Sequence, residues 1–201
     1  FITSGGYGYI FDLTANTLTQ ITDADFPYPV SMGVWADGYF VALKSNSAVF
    51  QISDLLDGTA WDALDFAAKS QTSDNIISMI YQFKELWLFG SQTTEVWYNS
   101  GDPDFPFSPI PNVLIEHGIG AQYSVAKLAD SLFWLGADQH GGRIVWRTVG
   151  GGYQPVRVSN HAVETALRKL GDVSTAIGWG YQHDGHSFYV LTFPDQGQTW
   201  V

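Results

Sequence analysis

The sequence predicts an all-β protein: a β-propeller-like array of four-stranded antiparallel blades, with a period of about 46 residues and one short helical insertion. Three observations carry this reading. An aromatic-rich strand recurs along the chain, each time after a polar turn, and each copy is followed at short range by a partner strand. The composition agrees, with 13 Phe, 10 Tyr, 8 Trp and 21 Gly in a chain of 201 residues that is only 14% charged. Rings and β-branched side chains suit a pleated, half-buried surface, and glycine suits tight turns.

The recurring strands come first. Tyr39-Phe40-Val41-Ala42-Leu43 follows Ala36-Asp37-Gly38, and Leu86-Trp87-Leu88-Phe89-Gly90 follows Phe83-Lys84-Glu85. Leu132-Phe133-Trp134-Leu135-Gly136 follows Ala129-Asp130-Ser131, and Phe188-Tyr189-Val190-Leu191 follows Asp184-Gly185-His186-Ser187. Tyr39 and Leu86 are 47 residues apart, Leu86 and Leu132 46, and Leu132 and Phe188 56. Partner strands follow at 48–52, 95–98, 143–147 and 199–201, and shorter strands precede the anchors at 29–35, 76–81, 124–128 and 175–180. Looser fourth strands are expected at 64–69, 107–115 and 153–158. The blades are then 30–74, 75–120 and 121–173, the last carrying the helix, with 1–29 the end of a preceding blade and 174–201 a partial one. Both chain ends fall inside a blade, as expected either of a piece of a longer propeller or of a ring closed by joining the two ends.

The long third interval holds the helix. Asn160 can cap it, Ala162, Val163, Ala166, Leu167 and Leu170 share one face, and Gly171 can stop it. Glu164 and Arg168 stand four apart in the favourable order. A second, weaker helical turn is expected over 54–61, interrupted by Gly58.

Composition excludes several classes. At 45% hydrophobic the chain can bury a core, yet its apolar runs, such as 40–43 and 86–89, are strand-sized. A bilayer-spanning helix needs about 18 apolar residues, so no membrane association is expected. The absence of cysteine removes disulfides and thiolate metal sites. The net charge of −11 argues against gripping nucleic acid, which needs Lys and Arg on phosphates. Residues 1–140 carry −12 and residues 141–201 carry +1, so the charge has an orientation.

The candidate chemistry reads as structure. Of His117, His140, His161, His183 and His186, only the last two are close, and Asp184-Gly185 between them marks a hairpin tip rather than a metal site. Asp102-Pro103-Asp104, with Glu116 downstream, lacks the alternating ligands of a calcium loop, and Pro103 and Pro106 fix a rigid turn. Gly5-Gly6-Tyr7-Gly8 and Gly150-Gly151-Gly152 lack the Lys-Ser/Thr of a phosphate loop. No catalytic, cofactor-binding or metal-ligating residue is assigned, and the protein is read as a non-enzyme without a cofactor. Trp87, Trp97, Trp134 and Trp146 recur at matching positions and are expected to pack between blades. The rival readings are a carbohydrate-binding or glycoside-cleaving propeller and a generic protein-interaction propeller. The first needs exposed Trp and paired acids, and the second lacks repeated Kelch Gly-Gly or WD Trp-Asp signatures here.

One stretch is more specific. Residues 86–101 run into Phe105-Pro106-Phe107, then Ile115-Glu116-His117-Gly118, Tyr123-Ser124-Val125-Ala126, Leu132-Phe133-Trp134-Leu135-Gly136 and residues 152–164. This resembles the packaged-DNA stabilisation proteins of short-tailed phages, the tail accessory or head-closure factors, most densely over residues 84–170. The resemblance implies a virion structural protein of the phage tail or neck, assembled in the bacterial host cytoplasm. It implies a ring-forming homo-oligomer that helps plug the portal channel and stabilise packaged DNA. The implied partners are the portal or connector and the tail needle or tailspike proteins, with no tight direct nucleic-acid binding. The loop around Asp102, Asp104 and Phe105, and the helix with Glu164, Arg168 and Lys169, are the expected interface residues.

Overall fold

A computed structural model describes residues 1–137 and 142–201; His140 and most of the loop joining the third anchor to its partner lie outside the described residues. The first sheet holds β1 (Ile2–Ser4), β2 (Tyr7–Asp12) and β3 (Thr17–Gln20) in that order. The second holds β4 (Val30–Ala36), β5 (Tyr39–Lys44), β6 (Val49–Asp54) and β7 (Asp57–Ala68). The third holds β8 (Ile76–Gln82), β9 (Glu85–Gly90), β10 (Thr94–Asn99) and β11 (Phe107–Ile115). The fourth holds β12 (Ala126–Leu128), β13 (Ser131–Ala137), β14 (Arg143–Arg147) and β15 (Val156–Arg157), and it is followed by α1 (His161–Lys169). The fifth holds β16 (Ile177–His183), β17 (His186–Phe193) and β18 (Gln198–Trp200), with a 3-10 turn at Pro194–Gln196. Every sheet lists its strands in chain order, the signature of successive hairpins.

The hairpin tips follow from backbone chemistry. A two-residue loop with positive φ at both positions matches the right-handed twist of its flanking strands. Asp184 and Gly185 adopt φ 48 and 77, so His183 and His186 are cross-strand partners at a solvent-exposed tip. Phe83 and Lys84 take the same conformation at φ 59 and 63 without a glycine. The pull of the β8–β9 pairing there outweighs a local preference of about 1 kcal/mol per residue.

The expected helical turn over 54–61 is replaced by strand. Leu55-Leu56 is the tip of the β6–β7 hairpin, with Leu56 at φ 62, and both side chains are exposed. Trp61, paired with Ser53 across the strands, is buried, and its indole nitrogen donates to the Gly58 carbonyl at 3.0 Å. Tertiary burial of Trp61, not local helix spacing, decides this segment. The first sheet also gains a strand, β1, that the pattern of anchors did not anticipate.

The chain divides into two compact units. One comprises Phe1–Leu88 with Glu95–Asn112, the other Phe89–Thr94 with Val113–Val201. In the first unit, Val41, Leu43, Phe50 and Ile52 pack with Met79, Leu86, Leu88 and Trp97. Phe50 meets Trp97 edge-on, with ring centroids 5.2 Å apart. A smaller cluster joins Ile21, Phe26, Val30, Ala42 and Trp61, with Phe1 seated against Gly33 where a Cβ would stand only 2.1 Å from the ring. In the second unit, Leu135, Val145, Leu167, Leu191 and Phe193 form the core around α1.

The recurring tryptophans divide. Trp87, Trp97 and Trp134 are buried. Each removes ~200 Å² from water, a stabilisation on the order of 4 kcal/mol. Trp146 is only half-buried, and its ring stacks on His117 with centroids 4.0 Å apart and an interplanar angle of 15°. Burial lowers the His117 pKa from its ordinary value, with Glu116 acting in the opposite direction.

Candidate functional site

Two of the surfaces flagged by the sequence can be placed residue by residue. In the first unit, the loop after β10 is organised by its own side chains. The Gly101 amide donates to Asn99 Oδ1 at 2.9 Å, and the Asp104 amide donates to Asp102 Oδ1 at 2.9 Å. Asn99 Nδ2 donates to Asp37 Oδ2 at 2.5 Å, tying this loop to the β4–β5 turn. The result is a groove of about 470 Å³ whose lining includes Asp37, Asp54, Asp65, Asp102 and Asp104. Burial, and then the charges of Asp62 and Asp54, push the Asp65 carboxyl above its ordinary value. Asp102 and Asp104 are exposed, whereas Phe105 turns inward against Phe50 and Phe107, at centroid distances of 6.1 and 6.5 Å.

In the second unit, α1 begins as the sequence predicts. Asn160 Oδ1 accepts from the Val163 amide at 3.0 Å, and Gly171 takes φ 77 just past the end. Arg168 and Lys169 are exposed on its last turn. Glu164 differs from expectation. It does not pair with Arg168, whose guanidinium instead donates to Thr165 Oγ1 at 3.1 Å. The Glu164 carboxylate is buried and accepts two parallel bonds from Arg157 on β15, one of them 2.6 Å from Nε, and a third from Ser159 Oγ at 2.9 Å. A planar fork from a neighbouring strand outcompetes a flexible partner one turn away on the helix.

This clamp sets a pH dependence. The Arg157 hydrogen bond lowers the Glu164 pKa from its ordinary value; burial opposes it, and Ser159 and the nearby charges of Arg157 and His161 reinforce it. A depressed carboxyl contributes stability that is complete above the unfolded-state pKa and lost as pH falls through the folded one. We expect the docking of α1 to weaken below about pH 4.5 and the Arg157→Gln variant to lose most of that acid limb. Urea unfolding across pH 3 to 7, followed by far-ultraviolet circular dichroism, checks it. An unchanged pH profile in the variant contradicts the clamp.

The remaining sequence candidates do not assemble. Among the described residues no group of three His, Cys, Asp or Glu converges in a geometry that holds a metal ion. Gly5-Gly6 is the tip of the β1–β2 hairpin, and Gly150-Gly151 is a turn between β14 and β15, both at positive φ. Among the described residues, no helix is long and apolar enough to cross a membrane. The sequence reading missed the buried acceptor Glu95 on β10, which receives donors from the 70–72 loop. A lone acid beside Val96 and Trp97 in an apolar strand was the available signal.

Successive antiparallel sheets of three or four hairpin-connected strands define a β-propeller-like, all-β protein. A family model described as "Bacteriophage P22 Gp10, beta-propeller" matches residues 1–201. The chain belongs to this family, the packaged-DNA stabilisation proteins of phage. Among solved structures, the WD40 domain of Toxoplasma gondii coronin is similar at 6% identity and a TM-score of 0.47, over 86% of this chain. The chain spans 41% of the length of that coronin chain. No curated protein matches the sequence.

Proposed function

We propose that this chain is a tail accessory or head-closure factor, which helps plug the portal channel and hold packaged DNA in the virion. The observation that carries this reading is the family match over residues 1–201. In this reading the protein is a structural component rather than an enzyme. It assembles in the host cytoplasm as a ring of copies at the phage neck, with the portal or connector on one side and tail needle or tailspike proteins on the other. The recurring sheets are its blades, at 30–74, 75–120 and 121–173, with parts of two more at 1–29 and 174–201.

Charge supports a role in confining DNA without gripping it. The first unit carries three Lys against thirteen Asp and Glu, and Lys69 is buried in an ion pair with Asp74 at 2.6 Å. Such a surface repels phosphate. Asp102 and Asp104, and Arg168 and Lys169, present their charges to solvent and are the proposed contact groups. Phe105 and Glu164 position those surfaces from beneath.

The test is complementation. Phage lacking the gene should package DNA and then release it, and the wild-type protein supplied in trans should restore DNA-filled, infectious particles. The Asp104→Lys and Arg168→Glu/Lys169→Glu variants should fold within about 0.5 kcal/mol of wild type, as surface changes do, yet restore few particles. Particles that retain DNA without the protein would overturn the reading, and full rescue by both variants would move the contacts elsewhere.

A further inference from the structure

The second unit has a solvent-open cavity of about 490 Å³ that the structural role does not use. This is the size of small-molecule sites, which run from about 300 to 1,000 Å³. Its wall is apolar. Phe133 and Val145 contribute from β13 and β14, Val163 and Leu167 from α1, and Leu191 from β17. Phe133 stacks on Tyr189 with centroids 5.3 Å apart. The Tyr189 hydroxyl donates to the Ser124 carbonyl at 2.5 Å, so its polar end is already engaged.

The strand register brings one cation to this wall. Phe133 pairs with Arg147 and Leu135 with Val145. Side chains two apart on a strand share a face, so Arg147 stands on the same side as Val145 and lines the same cavity. Arg147 is exposed, and among the described residues its side chain has no hydrogen bond or ion pair. The other charged group on the lining is Asp130, which accepts from Ser131 Oγ at 3.3 Å and is not paired with Arg147. Ser159 Oγ is committed to Glu164 and to the Val145 amide. An apolar chamber with an unengaged guanidinium is complementary to an amphipathic anion. We propose that this cavity binds a free fatty acid or similar small amphiphile, its unbranched chain among Phe133, Val145, Val163 and Leu167 and its carboxylate on Arg147.

The probe is dodecanoate, titrated into the full chain and followed by displacement of 1-anilinonaphthalene-8-sulfonate. Saturable displacement at one site is expected, weaker for decanoate by roughly tenfold, as two fewer buried methylenes dictate. Arg147→Gln should weaken dodecanoate about tenfold, and Asp130→Asn should strengthen it about twofold by removing a like charge. Dodecanol should bind more weakly than dodecanoate to the wild-type protein and be unaffected by Arg147→Gln. Val163→Trp should fill the chamber and abolish displacement. Arg147 is exposed, so its variant keeps the test decisive even where Val163→Trp fails to fold. Equal binding of dodecanoate to wild type and Arg147→Gln, or equal competition by dodecanol, would overturn the proposal.

Discussion

Replacing Glu95 by alanine should cost about 3–5 kcal/mol of folding free energy, a large share of what a domain of this size has. The carboxylate is wholly buried. It accepts from the amides of Ser70, Gln71 and Thr72 at 3.1, 2.9 and 3.2 Å, from Thr72 Oγ1 at 3.4 Å, and from the Trp97 indole at 3.2 Å. These donors hold the loop between β7 and β8 against β10. Removing the acceptor takes this partner from the buried Trp97 indole N–H, at about 1–3 kcal/mol, and releases the 70–72 loop whose amides it gathers. Glutamine separates this cause from packing. It keeps the volume but turns an NH₂ toward donors, so Glu95→Gln should cost about 2–4 kcal/mol instead of nothing. Urea unfolding midpoints measure both. A loss below about 1 kcal/mol in the alanine variant would show that the loop does not depend on the carboxylate.

Gly118→Ala should destabilise the second unit by about 3 kcal/mol or more. A Cβ at this position would lie 2.4 Å from the Ser91 carbonyl carbon and 2.5 Å from the Gln92 nitrogen. Both are backbone atoms of the β9–β10 turn, so no side chain can swing away and the backbone itself must move. The close approach is held on all sides. Thr94 Oγ1 donates to the His117 carbonyl at 2.8 Å, and the Ile119 amide donates to the Gly90 carbonyl at 2.9 Å. The Trp134 indole donates to the Gly118 carbonyl at 3.2 Å and its ring packs on Phe89 at 5.3 Å. The damage should be local. Near-ultraviolet circular dichroism should lose tryptophan signal as His117 and Trp146 unstack, and thermal unfolding should fall by several degrees. An alanine variant with wild-type melting would mean that the segment does not approach so closely.

Much of the fold was legible because strand chemistry is local. The anchors at Leu86 and Leu132 announce themselves as runs of large rings and leucines directly after turn residues, and those residues lie in β9 and β13. The helix was equally legible, since Asn160 and Gly171 act on backbone groups within four residues of themselves. Residues 54–61 misled because the burial that decides Trp61 comes from Phe26 and Phe1, far from it along the chain. Glu164 misled for the same reason: Arg168 is four residues away along the helix, but Arg157 reaches it across a turn of chain from β15. Arg147 was invisible as a candidate, because nothing in its neighbours shows which side of β14 faces a cavity.

The sequence by itself determined the repeat, the class of fold, the capped helix and the acidic bias, because turn geometry, side-chain alternation and net charge are properties of neighbouring residues or of plain sums. Only the tertiary structure decided which polar groups are buried, which partner each one takes, and where space is left between elements. Those depend on distances between strands far apart in the chain. The Glu95 staple spans about two dozen residues, and the Phe133–Tyr189 wall of the cavity spans more than fifty. Burial raises the cost of an unsatisfied group by several-fold, so a single well-placed partner overrides any local preference the sequence expresses.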